Sequence, residues 1–169
     1  MPRQGDLGDA TALIRALTER RLTIATAESL TGGLLSAALV DVPGASLVFN
    51  GGIVAYATPL KATLLGVDAD LLAARGAVDP EVARQMADGV RRALAVAGRP
   101  ADIGEATTGV AGPDGQDGKP PGTAFVAVAM GEVVEVVPLA LSGARDEVRA
   151  ATVRAALHAV IARLAKNVE

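Results

Sequence analysis

Leu22-Thr-Ile-Ala-Thr-Ala27, followed by Glu28-Ser-Leu-Thr-Gly-Gly33 and then Leu34-Leu-Ser-Ala-Ala-Leu-Val40, is the stretch on which the fold turns. The first six residues are apolar or β-branched and read as a short buried strand. Paired glycines punctuate a turn, and the last seven residues resume as a helix. Strand, turn and helix in that order open an α/β unit.

Working outward, Asp6 to Arg20 sets Leu7, Ala10, Leu13, Ile14 and Leu17 at helical spacing, which predicts an amphipathic first helix. On the other side, Asp41-Val-Pro-Gly-Ala-Ser46 breaks the second helix, and Leu47 to Ala57 has strand character. Gly51-Gly52 interrupts that strand and predicts a bulge or a close backbone approach. Pro59 starts a short helix carrying Lys61 near its first turn. Asp79-Pro80-Glu81 is a capped helix start, with Val82, Met86, Val90, Ala93 and Ala97 as the expected buried face. Ala101–Thr108, Thr123–Met130 and Glu132–Leu141 read as strands, the last two joined at Gly131 as a hairpin. Arg145 to Ala165 closes the chain as a helix. This pattern predicts an α/β fold, a three-layer α/β/α sandwich whose mixed, mainly parallel sheet ends in a late antiparallel hairpin. With no repeat and no linker, residues 1–169 read as one domain.

Composition narrows the chemistry. Sixteen Lys and Arg against 19 Asp and Glu leave a net charge of -3, which gives no basic surface for nucleic acid. The absence of cysteine removes thiolate nucleophiles, zinc ribbons and disulfides, and fits a reducing compartment. A single histidine, His158, argues against a His-based metal site, and Asp114 and Asp117 lack the acid order of a calcium loop. Met1 to Ala10 lacks the pattern of a secretory signal, and no run of about 18 apolar residues suggests a membrane span, so a cytoplasmic location is expected. The four serines are Ser29, Ser36, Ser46 and Ser142, and only three of the sixteen cations are lysines. Serine or lysine chemistry therefore has few candidates.

Three places combine such groups. In Thr26-Ala-Glu-Ser-Leu-Thr-Gly-Gly33, helix-terminal amides with the Ser29 and Thr31 hydroxyls suit an anion, although a capped helix start that binds nothing has the same residues. Thr107-Thr-Gly-Val-Ala-Gly-Pro-Asp-Gly115, running on to Lys119-Pro-Pro-Gly-Thr123, is a glycine-rich crossover that lets a ligand approach the backbone. The third place is Ser46, Tyr56 and Lys61: a lysine with a lowered pKa takes a serine's proton, and the lone tyrosine orients the pair. Spacing alone favours a buried turn serine, a packed tyrosine and an exposed lysine over that trio. His158 reads as a helix-boundary residue rather than part of a triad, and Arg145 offers a fork for phosphate or carboxylate.

Taken in order, Thr26-Ala-Glu-Ser-Leu-Thr-Gly-Gly33, Asp41-Val-Pro-Gly-Ala-Ser46, Val54-Ala-Tyr56, Lys61, Gly76-Ala-Val78, Thr108-Gly-Val-Ala-Gly-Pro113, Lys119-Pro120 and Gly122-Thr123 resemble the CinA C-terminal domain family from about Leu13 to Leu164. Enzymatic members of that family are nicotinamide-nucleotide amidohydrolases, which convert nicotinamide mononucleotide to nicotinate mononucleotide and ammonia in pyridine-nucleotide salvage. The resemblance implies Ser46 as nucleophile with Tyr56 and Lys61 activating it, and Ser29, Thr31, Gly32, Thr108, Gly109 and Arg145 around the nucleotide. It further implies no cofactor and no metal, a small-molecule pyridine nucleotide as the partner, and a homo-oligomer, a dimer. Some members carry an extra molybdopterin-binding-like domain with pyrophosphatase activity, for which 169 residues leave no room.

The chain departs from the family pattern in three places. Leu30 stands where cysteine is usual, Ala144 replaces the acid of Ser-Gly-Asp-Arg, and the Gly115 to Lys119 loop is about a residue short. Two alternatives follow: a nucleotide-binding or partner-binding domain without turnover, and an enzyme whose nucleophile is Ser29, which also lies at a strand end.

Overall fold

Five strands form one sheet, and their order decides where a site can be. The computed structural model describes residues 4–166, with side chains from Leu7 onward; Met1–Arg3, part of the polar opening read above, lie outside the described residues. Helix α1 (Gln4–Arg20) leads into β1 (Ile24–Glu28), α2 (Leu34–Val40), a single 3-10 turn (Ala45–Leu47), β2 (Phe49–Val54), α3 (Thr58–Leu65), α4 (Ala69–Arg75), α5 (Pro80–Ala93), β3 (Ile103–Gly109), β4 (Thr123–Met130), β5 (Val133–Ala140) and α6 (Arg145–Lys166). The sheet order is β2-β1-β3-β4-β5. β1 pairs in parallel with β2 and β3, while β4 pairs antiparallel with β3 and with β5. Four strands therefore point the same way and only β4 runs against them, which is the mixed, mainly parallel arrangement with a late hairpin expected above.

Each sheet face carries its own core. On one face Ile24, Ile103, Val126 and Val128 meet Leu13 and Leu17 of α1, Leu35 and Leu39 of α2, and Val153, Leu157 and Val160 of α6. The other face presents Ala25, Ala27, Ala106, Ala127 and Ala129 to α5 and to Leu65 and Leu72. A chain with 2% aromatic residues cannot fill its core with rings, and it closes the gap by bringing backbone near backbone. Alanine-lined strands let α5 approach until Gly104 lies against the carbonyl of Ala87, where a Cβ would overlap it.

Several local expectations change. α5 stops at Ala93, which is exposed, and Ala97 lies past the helix with a φ of 51°, so neither extends the buried face formed by Val82, Met86 and Val90. Leu7 is exposed at the start of α1. A short helix, α4, capped by the Asp68 side chain, occupies a stretch left unassigned by the sequence reading. The glycine pair of β2 marks a close approach: a Cβ at Gly52 would run into the hydroxyls of Ser36 and Thr26, and the register with β1 skips at Asn50.

Gly89 tests the packing. Glycine to alanine inside a helix ordinarily stabilises by about 1 kcal/mol. A Cβ at Gly89 would overlap the backbone carbonyl of Leu65, which cannot step aside as a side chain would. Gly89→Ala is expected to lower unfolding stability by about 1–3 kcal/mol in a denaturant titration.

Candidate active site

Strands that run the same way share an end, and the turns leaving that end converge. β1 hands over to Ser29, β2 to Ala55 and Tyr56, β3 to Val110–Gly112, and β5 leads to Arg145 at the start of α6. These turns enclose a cavity of about 170 Å³ bordered by Ser29, Tyr56, Lys61, Thr108, Gly109 and Arg145, with Ala77, Asp114 and Gln116 completing the wall.

The turn carrying Ser29 is held from three sides. Its own amide donates to Thr107 O at 3.0 Å, and the amide of Ala55 donates to Glu28 O at 2.9 Å. Behind it, the buried Glu28 side chain takes four hydrogen bonds from the start of α2. Oε2 accepts from the amides of Gly33 and Leu35, each at 3.0 Å, and Oε1 accepts from the Ser36 amide at 2.9 Å and the Ser36 hydroxyl at 2.6 Å. The α2 N-terminus is thus occupied by the chain's own carboxylate, and it offers no free anion cradle of the kind read from the sequence. The other side of the turn is secured by Arg149 of α6, whose guanidinium donates to Leu30 O at 2.8 Å and Thr31 O at 3.0 Å.

Lys61 is fully buried, and its ammonium donates to Ser29 Oγ at 3.0 Å and to Ala55 O at 2.8 Å. Among the described residues no carboxylate pairs with it. Burial without a counter-charge disfavours the ammonium and brings its pKa down from 10.5 to about 8. A neutral fraction at the amine, in contact with a serine hydroxyl, is the arrangement of a nucleophile and its base.

The structure gathers Ser29, Tyr56, Lys61, Thr108, Gly109 and Arg145, and it leaves Ser46, Thr31 and Gly32 out. Ser46 is exposed on the 3-10 turn that precedes β2, whereas Lys61 follows the opposite end of that strand, some 20 Å of chain away at about 3.3 Å per residue. Sequence position made Ser46 and Lys61 neighbours across one strand; the direction of that strand separates them. The Thr31 hydroxyl is committed to Thr107 Oγ1 at 2.8 Å, and Gly32 lies beneath Arg149. Thr108 borders the cavity, but its hydroxyl donates to Ala77 O at 2.7 Å and ties β3 to the segment before α5. Gly109 allows the approach of β4, since a Cβ there would sit 2.6 Å from that of Ala124.

Tyr56 is largely exposed at the cavity mouth, and its hydroxyl accepts from Arg145 at 3.1 Å rather than meeting Lys61. Arg145 also donates to Gly112 O and so spans two loops. At Ala144, where the acid is missing, the Glu147 carboxylate accepts from the backbone amide at 2.8 Å and caps α6. In the short loop, Gln116 and Lys119 pair across a tight turn, and the Asp117 side chain packs on Gly76, where a Cβ would displace it. His158 lies on α6 against Asp9 of α1 at 2.8 Å, in keeping with a boundary residue. The sequence reading missed Glu28, Arg149 and the carbonyl of Ala55. Two signals were available: an acid four residues before a helix-starting glycine pair, and a second arginine one helical turn after Arg145.

A doubly covered α/β sheet with a serine and a buried lysine at its carboxyl end defines the class of site. The chain belongs to the CinA family: the CinA C-terminal domain model matches residues 9–164. It is 49% identical over 149 residues to a CinA-like protein of Frankia casuarinae, covering 88% of this chain and 33% of that protein. It is 45% identical over 155 residues to a CinA-like protein of Geobacter sulfurreducens, covering 91% and 36%. The chain thus spans about a third of the length of these curated relatives. Among solved structures it resembles the competence/damage inducible protein CihA of Agrobacterium tumefaciens, with a TM-score of 0.89 at 34% identity over 96% of this chain and 97% of that one. A CinA superfamily protein of Klebsiella pneumoniae gives a TM-score of 0.89 at 35% identity over 96% and 99%. No helix among the described residues is long and apolar enough to cross a membrane.

The buried amine has a measurable cost. Because its folded pKa lies below that of the unfolded chain, stability is lost as pH falls from 10.5 to 8 and stays lost below. Lys61→Met is expected to raise unfolding stability at pH 7 by an amount on the order of 1–3 kcal/mol. The gain over the native chain should shrink toward pH 10.5 when unfolding midpoints are compared across pH.

Proposed function

We propose that this chain is a metal-independent amidohydrolase that converts nicotinamide mononucleotide to nicotinate mononucleotide and ammonia, with Ser29 as nucleophile and Lys61 as its base. The observation that carries this reading is the 3.0 Å contact between the Lys61 amine and Ser29 Oγ at the cavity wall. Family membership and the resemblance of its motifs to the amidohydrolase members support the substrate. This reading moves the nucleophile from Ser46, which lies at the opposite end of β2 from Lys61, to Ser29.

The steps follow from the groups present. Ser29 Oγ attacks the carboxamide carbon as neutral Lys61 takes its proton, giving a tetrahedral oxyanion and a lysine ammonium. Backbone amides of the glycine turns that border the cavity would serve that oxyanion; each such donor is often worth about 3 kcal/mol. The ammonium returns its proton to the nitrogen as the carbon–nitrogen bond breaks, and ammonia leaves an ester on Ser29. Water then attacks the ester with Lys61 again accepting a proton, and the carboxylate departs with Ser29 restored. The Ala55 carbonyl aims the amine through both half-reactions. A cavity of about 170 Å³ matches a single six-membered ring, since an engineered cavity of about 150 Å³ holds benzene. Arg145 at the mouth presents a planar cation to the nucleotide's phosphate.

Purified protein incubated with nicotinamide mononucleotide should release ammonia. Ser29→Ala is expected to lower kcat by at least about 10³-fold, while Ser46→Ala stays within about twofold of the native chain, as for an exposed residue remote from the site. Full activity in Ser29→Ala would remove the assignment. Because Lys61 must be neutral to act, the rate should climb with pH along an acid limb titrating at about 8, visible in a kcat/KM profile.

A further inference from the structure

Behind the Ser29 turn lies a second carboxyl group that the proposed reaction does not use. Glu105 of β3 is fully buried, and neither of its oxygens has a hydrogen-bond partner. It sits on the same sheet face as Glu28, directly across the ladder from Thr26, while Glu28 lies across from Thr107. The hydrogen bonds of this layer have a direction. Each oxygen of Glu28 already accepts from two donors, so Glu28 has no place for a proton. The Ser36 hydroxyl therefore gives its hydrogen to Glu28 and must accept from Thr26, 2.9 Å away. Thr26 has then spent its only proton and turns lone pairs toward its surroundings. It has no proton left to give an ionised Glu105, whose oxygens stand without a hydrogen-bond partner.

Among the described residues no cation pairs with Glu105, and the hydroxyl of Thr107, two residues along the same face, is hydrogen-bonded to that of Thr31. α2 contributes Leu35 and Leu39, β4 contributes Val126 and Val128, and α6 contributes Val153 and Ala156. Thr152 of α6 donates to Val148 O, and Arg149 is bound to the carbonyls of Leu30 and Thr31. Glu28 is the charged neighbour that acts on Glu105, and it repels a second negative charge.

We infer that Glu105 is a positioning residue that works as a neutral acid: its proton leaves Glu28 as the sole negative charge beneath α2 and so keeps the Ser29 turn in place. The direction of its titration agrees, since burial first and Glu28 second push it up from 4.5 to about 8. Above that value two like charges occupy one buried layer, Glu28 is driven off the α2 amides, and the turn that follows Glu28 is released. This role rests on Ser29 being the nucleophile, but the state of the proton does not.

Two measurements separate the two. A raised folded pKa means that stability is full near pH 4.5 and lost as pH rises to 8. Glu105→Gln should flatten that fall, so that its unfolding midpoint, relative to the native chain, gains about 5 °C or more between pH 5 and pH 8. The native protein at pH 7 should also show the infrared carbonyl band of a protonated carboxyl that Glu105→Gln lacks, and the native spectrum answers alone if the variant does not fold. Parallel stability profiles, or no such band, would overturn the neutral acid. In ammonia release, the native rate should pass through a maximum near pH 8 and decline above it, whereas Glu105→Gln runs on to a plateau. Matching declines in both proteins would overturn the positioning role. Absent ammonia release in either would count against the proposed reaction and leave the stability and infrared results to decide the proton.

Discussion

The structure around the site depends on one buried carboxylate. Glu28 ends β1, and its side chain takes up the amides that open α2, so the turn from sheet to helix is held by a group of the chain itself. A glycine-rich turn before a helix commonly leaves those amides for a phosphate. In this chain the anion is supplied from within. A bound anion comes and goes with its ligand, whereas an internal one holds the turn at all times, which suits a residue that must already be aimed when substrate arrives. The consequence for recognition is that an incoming anion has to be met from elsewhere, and Arg145 spans the cavity mouth with its guanidinium.

Burial does for Lys61 what a neighbouring cation does in other sites. Among the described residues the amine's hydrogen-bond partners are a carbonyl and a hydroxyl, and burial disfavours its charge. A group arranged this way opposes folding, and the rest of the domain offsets that cost through two cores and an α5 helix seated against alanine-lined strands. Stability given up at one amine is recovered in packing many residues away, the usual division between scaffold and site.

Much of this was legible in the sequence, and the misses have physical causes. Alternating strand and helix signals gave the layers, the hairpin at Gly131 gave the single reversed strand, and the glycine turns marked the right end of the sheet. Ser46 was misplaced because distance along a chain is not distance in a parallel sheet. Ser46 enters β2 and Tyr56 leaves it, so they lie at opposite ends, while Ser29 leaves β1 beside Tyr56. Turns that leave co-directional strands meet, and a serine entering one of them lies at the far end of the sheet. Glu28 and Arg149 were passed over because their partners are backbone groups, which no residue pattern displays. Ala93 and Ala97 looked periodic, but helix propensity does not say where α5 ends, and the chain turns at Leu94 instead.

The placement of charge on the two faces of β1 explains how a carboxylate and a low-pKa amine coexist so near one serine. An anion beside Lys61 would favour its ammonium and hold the amine protonated, which is the opposite of what a base at neutral pH requires. Glu28 is the residue next to Ser29, yet burial is the one cause of the lysine's lowered pKa. The four donors on Glu28 spread and screen its charge toward α2, on the face away from α3 and Lys61. The same hydrogen bonds that fix the turn therefore keep the carboxylate from undoing the amine. A neutral Glu105 extends that logic, because a second anion in the layer would exceed what those donors can absorb.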